Sequence, residues 1–226
     1  MLDWSKISTV LLDMDGTILD LHFDTQFWSV HLPLRYSEQA QISLQQARQE
    51  LHSHYEEIAG TLNWYCLDYW TKQTKLPIQT LKREIQHLIC LRSDAHDFLT
   101  ALRNSGREII LVTNAHPDSL SLKIERTQLD KYFDCLYSTH EFGVTKESQL
   151  LWQRLQQKQP FELANTLFVD DSLPVLASAR KYGFQHLLAI ENPDSQQPHN
   201  HIEDYTSISD YGVLLDDILN NPVKAG

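Results

Sequence analysis

Asp13-Met14-Asp15 puts two carboxylates one residue apart at the end of an aliphatic run, and Gly16-Thr17 follows at once. Spaced i, i+2 at a strand end, both can aim into one pocket if the chain turns there. Three later features could join them: Thr113-Asn114, Lys146 within Gly143-Val144-Thr145-Lys146-Glu147, and Asp170-Asp171-Ser172. The set holds four carboxylates, one hydroxyl and one ammonium. Clustered carboxylates cannot all stay ionised without a cation among them. A hard cation with oxygen ligands suits them best, most naturally Mg²⁺.

These residues converge only if the elements carrying them lie side by side. Ser8–Asp13, Glu108–Thr113, Thr166–Asp170 and Gln185–Ile190 read as strands buried on both faces, with a weaker one at Asp134–Ser138. Helical patterns lie between them. One spans 93–106 with Ser93 as cap and Gly106 as stop, and another opens at His116-Pro117. A third carries Leu150, Leu151 and Leu155, and a fourth runs from Leu173 to Tyr182 before Gly183. Alternating strands and helices predict an α/β fold: a Rossmann-like, mostly parallel sheet flanked by helices. Its ligand site belongs at the carboxyl ends of the strands.

The connection from Asp13 to Glu108 is far longer than a crossover needs, so residues 20–92 are surplus. Leu44, Ala47, Leu51, Tyr55 and Ile58 fall at helical spacing before Gly60, and Thr61 can cap a following helix through Trp70. We expect a small helical cap, residues 20–92, inserted into a core made of 1–19 and 93–226. The stretch from Asn192 to Asp210 reads as a surface loop.

Composition narrows the partners. The 226 residues carry 19 Lys and Arg against 30 Asp and Glu, a formal charge of -11, which argues against a nucleic-acid polymer or an anionic membrane. Cys66, Cys90 and Cys135 form no CxxC and read as buried, reduced thiols. With no apolar run of membrane length and no leader-like N-terminus, a cytoplasmic location is expected. Nothing here specifies an oligomeric state.

In this order the features resemble the haloacid dehalogenase-like (HAD) phosphohydrolase superfamily. Asp13–Thr17 matches its DxDGT motif, Thr113 the second-strand hydroxyl, Lys146 the isolated lysine and Asp170-Asp171 the acidic pair. Leu11–Asp24, Thr61–Trp70, Leu111–Leu120, Phe142–Trp152 and Thr166–Pro174 resemble its bacterial GMP/IMP 5'-nucleotidase branch, a similarity covering roughly residues 8–195. The resemblance implies a Mg²⁺-dependent phosphomonoesterase for purine nucleoside 5'-monophosphates. It makes Asp13 the nucleophile, Asp15 the acid and base, and Thr113 and Lys146 the phosphate holders. It places Mg²⁺ on Asp13, the Asp15 backbone carbonyl, Asp170 and Asp171, and leaves open which of the last pair touches the ion.

Among further substrate contacts, Asn114 follows Thr113, while His22, Phe23 and Asp24 lie at the hinge into the insert and His116 opens a helix. On a continuous helix Leu62, Tyr65, Cys66 and Tyr69 share one face, which reads as cap core, and Trp64 and Asp68 share another that can reach substrate. A phosphatase for a small sugar phosphate or phosphoglycolate is the nearest alternative. A phosphotransferase shares every motif. A receiver-like signalling domain is disfavoured, because its acidic pair precedes the phospho-acceptor and it has no use for an insert.

Overall fold

The computed structural model describes residues 2–223. Its sheet has six strands, β1 (Thr9–Leu12), β2 (Glu108–Thr113), β3 (Cys135–Ser138), β4 (Thr166–Asp170), β5 (His186–Ile190) and β6 (Ser207–Ile208). They lie in the order β3-β2-β1-β4-β5-β6, and every pairing is parallel. The aliphatic runs explain this. Val10 and Leu12 of β1 face one apolar layer with Ile109, Leu111, Leu167 and Val169, while Leu11 faces the other with Ile110, Val112 and Phe168. Side chains of period two, apolar on both faces, need cover from both sides.

The helices are α1 (His22–Gln26), α2 (Leu32–Ala40), α3 (Leu44–Ile58), α4 (Leu62–Tyr65), α5 (Leu67–Thr74), α6 (Ile78–Glu84), α7 (Ala95–Asn104), α8 (Pro117–Thr127), α9 (Gln149–Lys158), α10 (Leu173–Tyr182) and α11 (Leu215–Asn220), and the cover comes from α7, α8 and α11 on one face and α9 and α10 on the other. The chain builds outward from β1 to β3 on one side, then crosses to β4 and builds outward on the other. The order therefore reverses between β1 and β4, where a crevice opens at the carboxyl ends of the strands. Asp13 and Asp170 stand there.

Helices α1 to α6 all fall between β1 and β2 and carry an apolar cluster of their own: Phe27, Leu32, Leu51, Leu67, Trp70, Ile78 and Leu81. A single π-helical turn, Phe27–His31, joins α1 to α2. None of the described helices is long and apolar enough to cross a membrane.

Four local expectations need correction. The helix predicted through Trp70 breaks at Cys66, whose extended backbone (φ -86°, ψ 112°) ends α4 and caps α5, its Sγ accepting from the Tyr69 N–H. The packed residues are consequently Leu67 and Trp70, off the face expected from an unbroken helix. Ser93 does not cap α7, and Asp94 precedes it; the Asp94 carboxylate instead binds Arg92 and the Tyr211 N–H. The loop at 192–210 contributes β6, because Ala189 and Glu191 donate to Thr206 and Ile208 carbonyls. The cysteines are not buried, since Cys90 is exposed and Cys66 and Cys135 are partly so.

Candidate active site

Strands β1, β2 and β4 each deliver a group as they end, and Lys146 follows in the loop after β3. The Asp13 N–H donates to the Val169 carbonyl at 3.0 Å, which carries β1 one residue past its register with β4 and leaves the carboxylate beside Asp170. Lys146 is buried between them, its Nζ donating to Asp13 Oδ1 and, at 2.7 Å, to Asp170 Oδ2. Burial alone would lower the lysine's pKa, but the two carboxylates more than offset it and hold the ammonium charged. The other oxygen of Asp170 accepts from the Ser172 N–H at 2.8 Å, at the start of α10. Thr113 is buried and its hydroxyl accepts from the Ala115 N–H.

Asp13, Asp170 and Asp171 each bring a carboxylate oxygen within 4.8 Å of the others. Against these three carboxylates stands one ammonium, and it reaches only two of them. Burial, then the charges of Asp170 and Asp13, drives the Asp171 carboxyl well above the ordinary range. Burial likewise pushes Asp13 up to about 6, against Lys146. An all-oxygen donor set with an unbalanced negative charge fits a hard divalent cation. Gly16 is what lets it close up: its φ is +85°, and a Cβ there would lie 2.7 Å from the Asp171 carboxylate and 2.9 Å from Pro193 Cβ.

The Asp15 side chain stands outside that trio but lines the same cavity. Its Oδ1 accepts from Lys123 Nζ at 2.6 Å, and the same ammonium donates to Asp24 Oδ2 at 2.6 Å. Asp24 Oδ1 in turn accepts from Lys82 Nζ at 2.7 Å. An alternating chain of four charges thus runs from the β1 loop into α6. Phe23, Phe27 and Trp28 ring the Lys82 ammonium at 4.8, 4.7 and 5.4 Å. Burial raises the Asp15 carboxyl to about 6 despite Lys123.

Above these groups lies a cavity of about 430 Å³, within the usual range for a small-molecule site. The carboxylates, Thr113, Asn114 and Lys146 form its floor, and Trp28, Tyr55, Trp64 and Tyr65 of the insert form an aromatic roof. Roof and floor are tied together. Tyr65 donates to Glu147, which accepts from Asn114; Asn114 Oδ1 accepts from the Lys146 N–H at 2.9 Å. Thr145 donates to the Gly60 carbonyl at 3.1 Å.

Trp64 therefore lines the cavity, as do Asp24 and His116, but His22 and Asp68 do not. His22 turns toward Asp194, 3.4 Å away, its backbone held by Asp20. Asp68 is 86% exposed because the break at Cys66 rotates α5 away from Trp64. Lys82, Lys123 and Glu147 complete the site without having been singled out in the sequence, and Tyr65, expected in the cap core, lines the cavity instead. Both lysines carried a signal. Each sits with two neighbours at i-4 and i-1 on the buried face of its helix, Ile78 and Leu81 for Lys82, Ser119 and Leu122 for Lys123. A lysine on a core face demands a buried anion.

Residues 7–183 match the haloacid dehalogenase-like hydrolase family. The chain belongs to that family. It is 40% identical over 216 residues to the GMP/IMP nucleotidase YrfG of Escherichia coli (strain K12), covering 96% of this chain and 97% of that one. The nucleotidase of the same name from Shigella flexneri matches to the same extent. Among solved structures, an HAD phosphatase from Thermococcus onnurineus superposes with a TM-score of 0.78 at 22% identity, over 96% of this chain and 99% of that one. An HAD family hydrolase from Deinococcus radiodurans R1 with bound phosphate and sodium gives 0.64 at 16% identity, over 98% and 100%. As a haloacid dehalogenase-like hydrolase, the chain shares its fold with these structures.

Proposed function

We propose that this enzyme is a Mg²⁺-dependent phosphomonoesterase that hydrolyses purine nucleoside 5'-monophosphates, GMP and IMP, to nucleoside and phosphate. One observation carries the reading: an acidic floor, braced by Lys146, faces a roof of four aromatic side chains across one cavity. A planar base stacks on such rings, whereas a small sugar phosphate or phosphoglycolate would leave them facing water. The 40% identity to GMP/IMP nucleotidases over nearly the whole chain supports the same substrate class.

In this proposal Asp13 attacks phosphorus as its ester oxygen leaves, forming an aspartyl-phosphate and splitting the hydrolysis into two displacements. Asp15 gives its proton to the departing 5'-oxygen, so the nucleoside leaves as an alcohol. The same carboxylate then takes a proton from water as that water attacks the phosphoaspartate and frees Asp13. Lys123 holds Asp15 in place through both steps. Lys146 neutralises Asp13 and a phosphate oxygen, while Thr113 and Asn114 orient the phosphoryl group. Asp13, Asp170, Asp171 and the backbone carbonyl of Asp15 are the groups to hold Mg²⁺, which when bound neutralises charge on the phosphoryl oxygens. Helices α1 to α6 serve as a cap that excludes bulk water; its bounds at residues 20–92 belong to the same proposal.

The test is phosphate release from IMP, GMP, AMP, UMP, CMP, glucose 6-phosphate and phosphoglycolate, with and without Mg²⁺. Preference for IMP and GMP is expected. Turnover spread evenly over the sugar phosphate and phosphoglycolate would overturn the nucleotide assignment while sparing the two-step chemistry.

A further inference from the structure

A second cluster of donors lies outside the acidic floor, where insert and core meet. Cys66, His116 and His140 each offer a ligand atom, and the three atoms lie within 4.8 Å of one another. They come from three places in the fold: the kink between α4 and α5, the residue before α8, and the turn after β3. The two imidazoles meet edge to face, with centroids 5.0 Å apart. The Nε2 of His140 is buried without a hydrogen-bond partner. That is an unusual loss for a ring nitrogen, since a buried polar atom left unpaired has given up water for nothing. A fourth donor stands ready: Asp68 Oδ2 is 3.9 Å from His116 Nε2, on a side chain free to move because it is 86% exposed. The far nitrogen of His116, Nδ1, accepts from the Asp118 N–H at 3.3 Å, and Asp118 Oδ2 lies 3.8 Å from it. An ion on Nε2 would put the ring proton on Nδ1, which would then turn from that N–H to the Asp118 carboxylate, a partner that raises the basicity of a metal-bound histidine.

We infer that Cys66, His116, His140 and Asp68 form a second metal site, selective for a borderline divalent cation such as Zn²⁺ and distinct from the all-oxygen floor. One thiolate, two imidazoles and one carboxylate are tetrahedral zinc chemistry, whereas Mg²⁺ avoids sulfur and nitrogen. Tetrahedral donors at zinc stand about 3.5 Å apart, so the side chains draw in by roughly an ångström when the ion arrives. The Cys66 thiol loses its proton to solvent as the Zn–S bond forms.

The position gives the ion a consequence. Cys66 and Asp68 belong to the insert, and His116 and His140 belong to the core. His116 also lines the cavity. A bound ion would pin the roof to the floor beside the cavity, and an enzyme that must open to exchange substrate and product would slow. The site is thus a brake that Zn²⁺ engages and Mg²⁺ does not.

Cobalt(II) reads the site directly, because a thiolate ligand gives it a near-ultraviolet charge-transfer band that oxygen ligands do not. Titration of the purified chain with Co²⁺ under saturating Mg²⁺ should produce that band with one equivalent bound. Cys66→Ser should abolish it, and His140→Gln should weaken binding tenfold or more. No band, or a band unchanged in Cys66→Ser and so owed to Cys90 or Cys135, overturns the site. Zn²⁺ should also slow turnover of a phosphate ester at least tenfold in the wild type but not in Cys66→Ser, whose side chain does not line the cavity. Equal inhibition of both would overturn the brake. The cobalt titration measures binding without turnover, so its outcome is independent of the substrate assignment.

Discussion

Replacing Asp24 by Asn removes the one anion between two buried ammonium groups and leaves every shape unchanged. Lys82 and Lys123 are each 2% exposed, and Asp24 is 16% exposed. Contacts of 2.7 and 2.6 Å are each an attraction of about 6 kcal/mol at an effective dielectric near 20. Desolvation offsets most of that in the intact network. Stranding Lys82 is another matter: Lys123 keeps Asp15 at 2.6 Å, but Lys82 loses its salt-bridge partner, and loss of one partner from a buried pair costs about 3–5 kcal/mol. For a chain of this size each kcal/mol lowers Tm by about 2–4 °C, so Asp24→Asn should melt roughly 6–20 °C below the wild type. Urea unfolding gives the free energy itself.

The pH dependence carries the sign. Burial would raise the Asp24 carboxyl, but Lys123 and Lys82 outweigh it and hold it well below the usual carboxylate range. Its contribution is then full above the unfolded value near 4 and is lost as pH falls. The gap between wild type and variant should therefore be flat between about pH 5 and 8 and close below about pH 4. It should narrow again toward about pH 10, as the stranded Lys82, whose pKa burial already lowers, sheds its proton. Adding Lys82→Met should restore part of the loss. A penalty below about 1 kcal/mol, or a gap indifferent to pH, would refute the reasoning.

Asp13→Asn should abolish turnover, a loss of at least about a thousandfold, with unfolding close to wild type; measurable wild-type-like rates would sink the aspartyl-phosphate scheme. Gly16→Ala should lose about 2 kcal/mol or more in urea unfolding, and nearly all activity, because its Cβ meets the Asp171 carboxylate at 2.7 Å with φ at +85°. Trp64→Ala should raise KM for GMP severalfold and leave kcat for phosphoglycolate unchanged, which steady-state kinetics on the two substrates will check. Chelating Mg²⁺ should weaken binding of inorganic phosphate as well as stop turnover, and calorimetry with and without the ion separates the two.

The floor of the site was legible because it hangs on strands. Val10 to Leu12, Ile109 to Val112 and Leu167 to Val169 are apolar on both faces, so their period fixes a parallel sheet and the residues at their ends share one crevice. The roof was not, because helix faces depend on where a helix is interrupted. Cys66 breaks the run at a residue with no proline or glycine to mark it, and that break rotates Asp68 out of the cavity. His22 failed for a related reason: next to a hinge, a polar ring goes to whichever carboxylate lies nearest, and Asp194 is 172 residues away in sequence. The two buried lysines were readable from i-4, i-1 spacing, but only by treating a charged residue as part of an apolar stripe.

The charges around the cavity explain how an acidic protein handles an anion. Asp13, Asp15, Asp24, Asp170 and Asp171 line it against Lys82, Lys123 and Lys146, an excess of two carboxylates. Two of the three lysines are spent on the Asp15–Asp24 chain and cannot face a phosphate. Only Lys146 reaches the floor, and there it already serves Asp13 and Asp170. A phosphate dianion entering such a floor meets net repulsion, and Asp171 has no ammonium to offset its own charge. One divalent cation on Asp13, Asp170 and Asp171 brings the lining to neutrality, and the dianion then adds its charge beside a positive focus and not beside bare carboxylates. The buried lysine chain is what keeps that balance local. By neutralising Asp24 and Asp15 where insert and core meet, it ties the roof to Asp15 and leaves the floor short of one divalent cation, the condition under which such a site would need a metal.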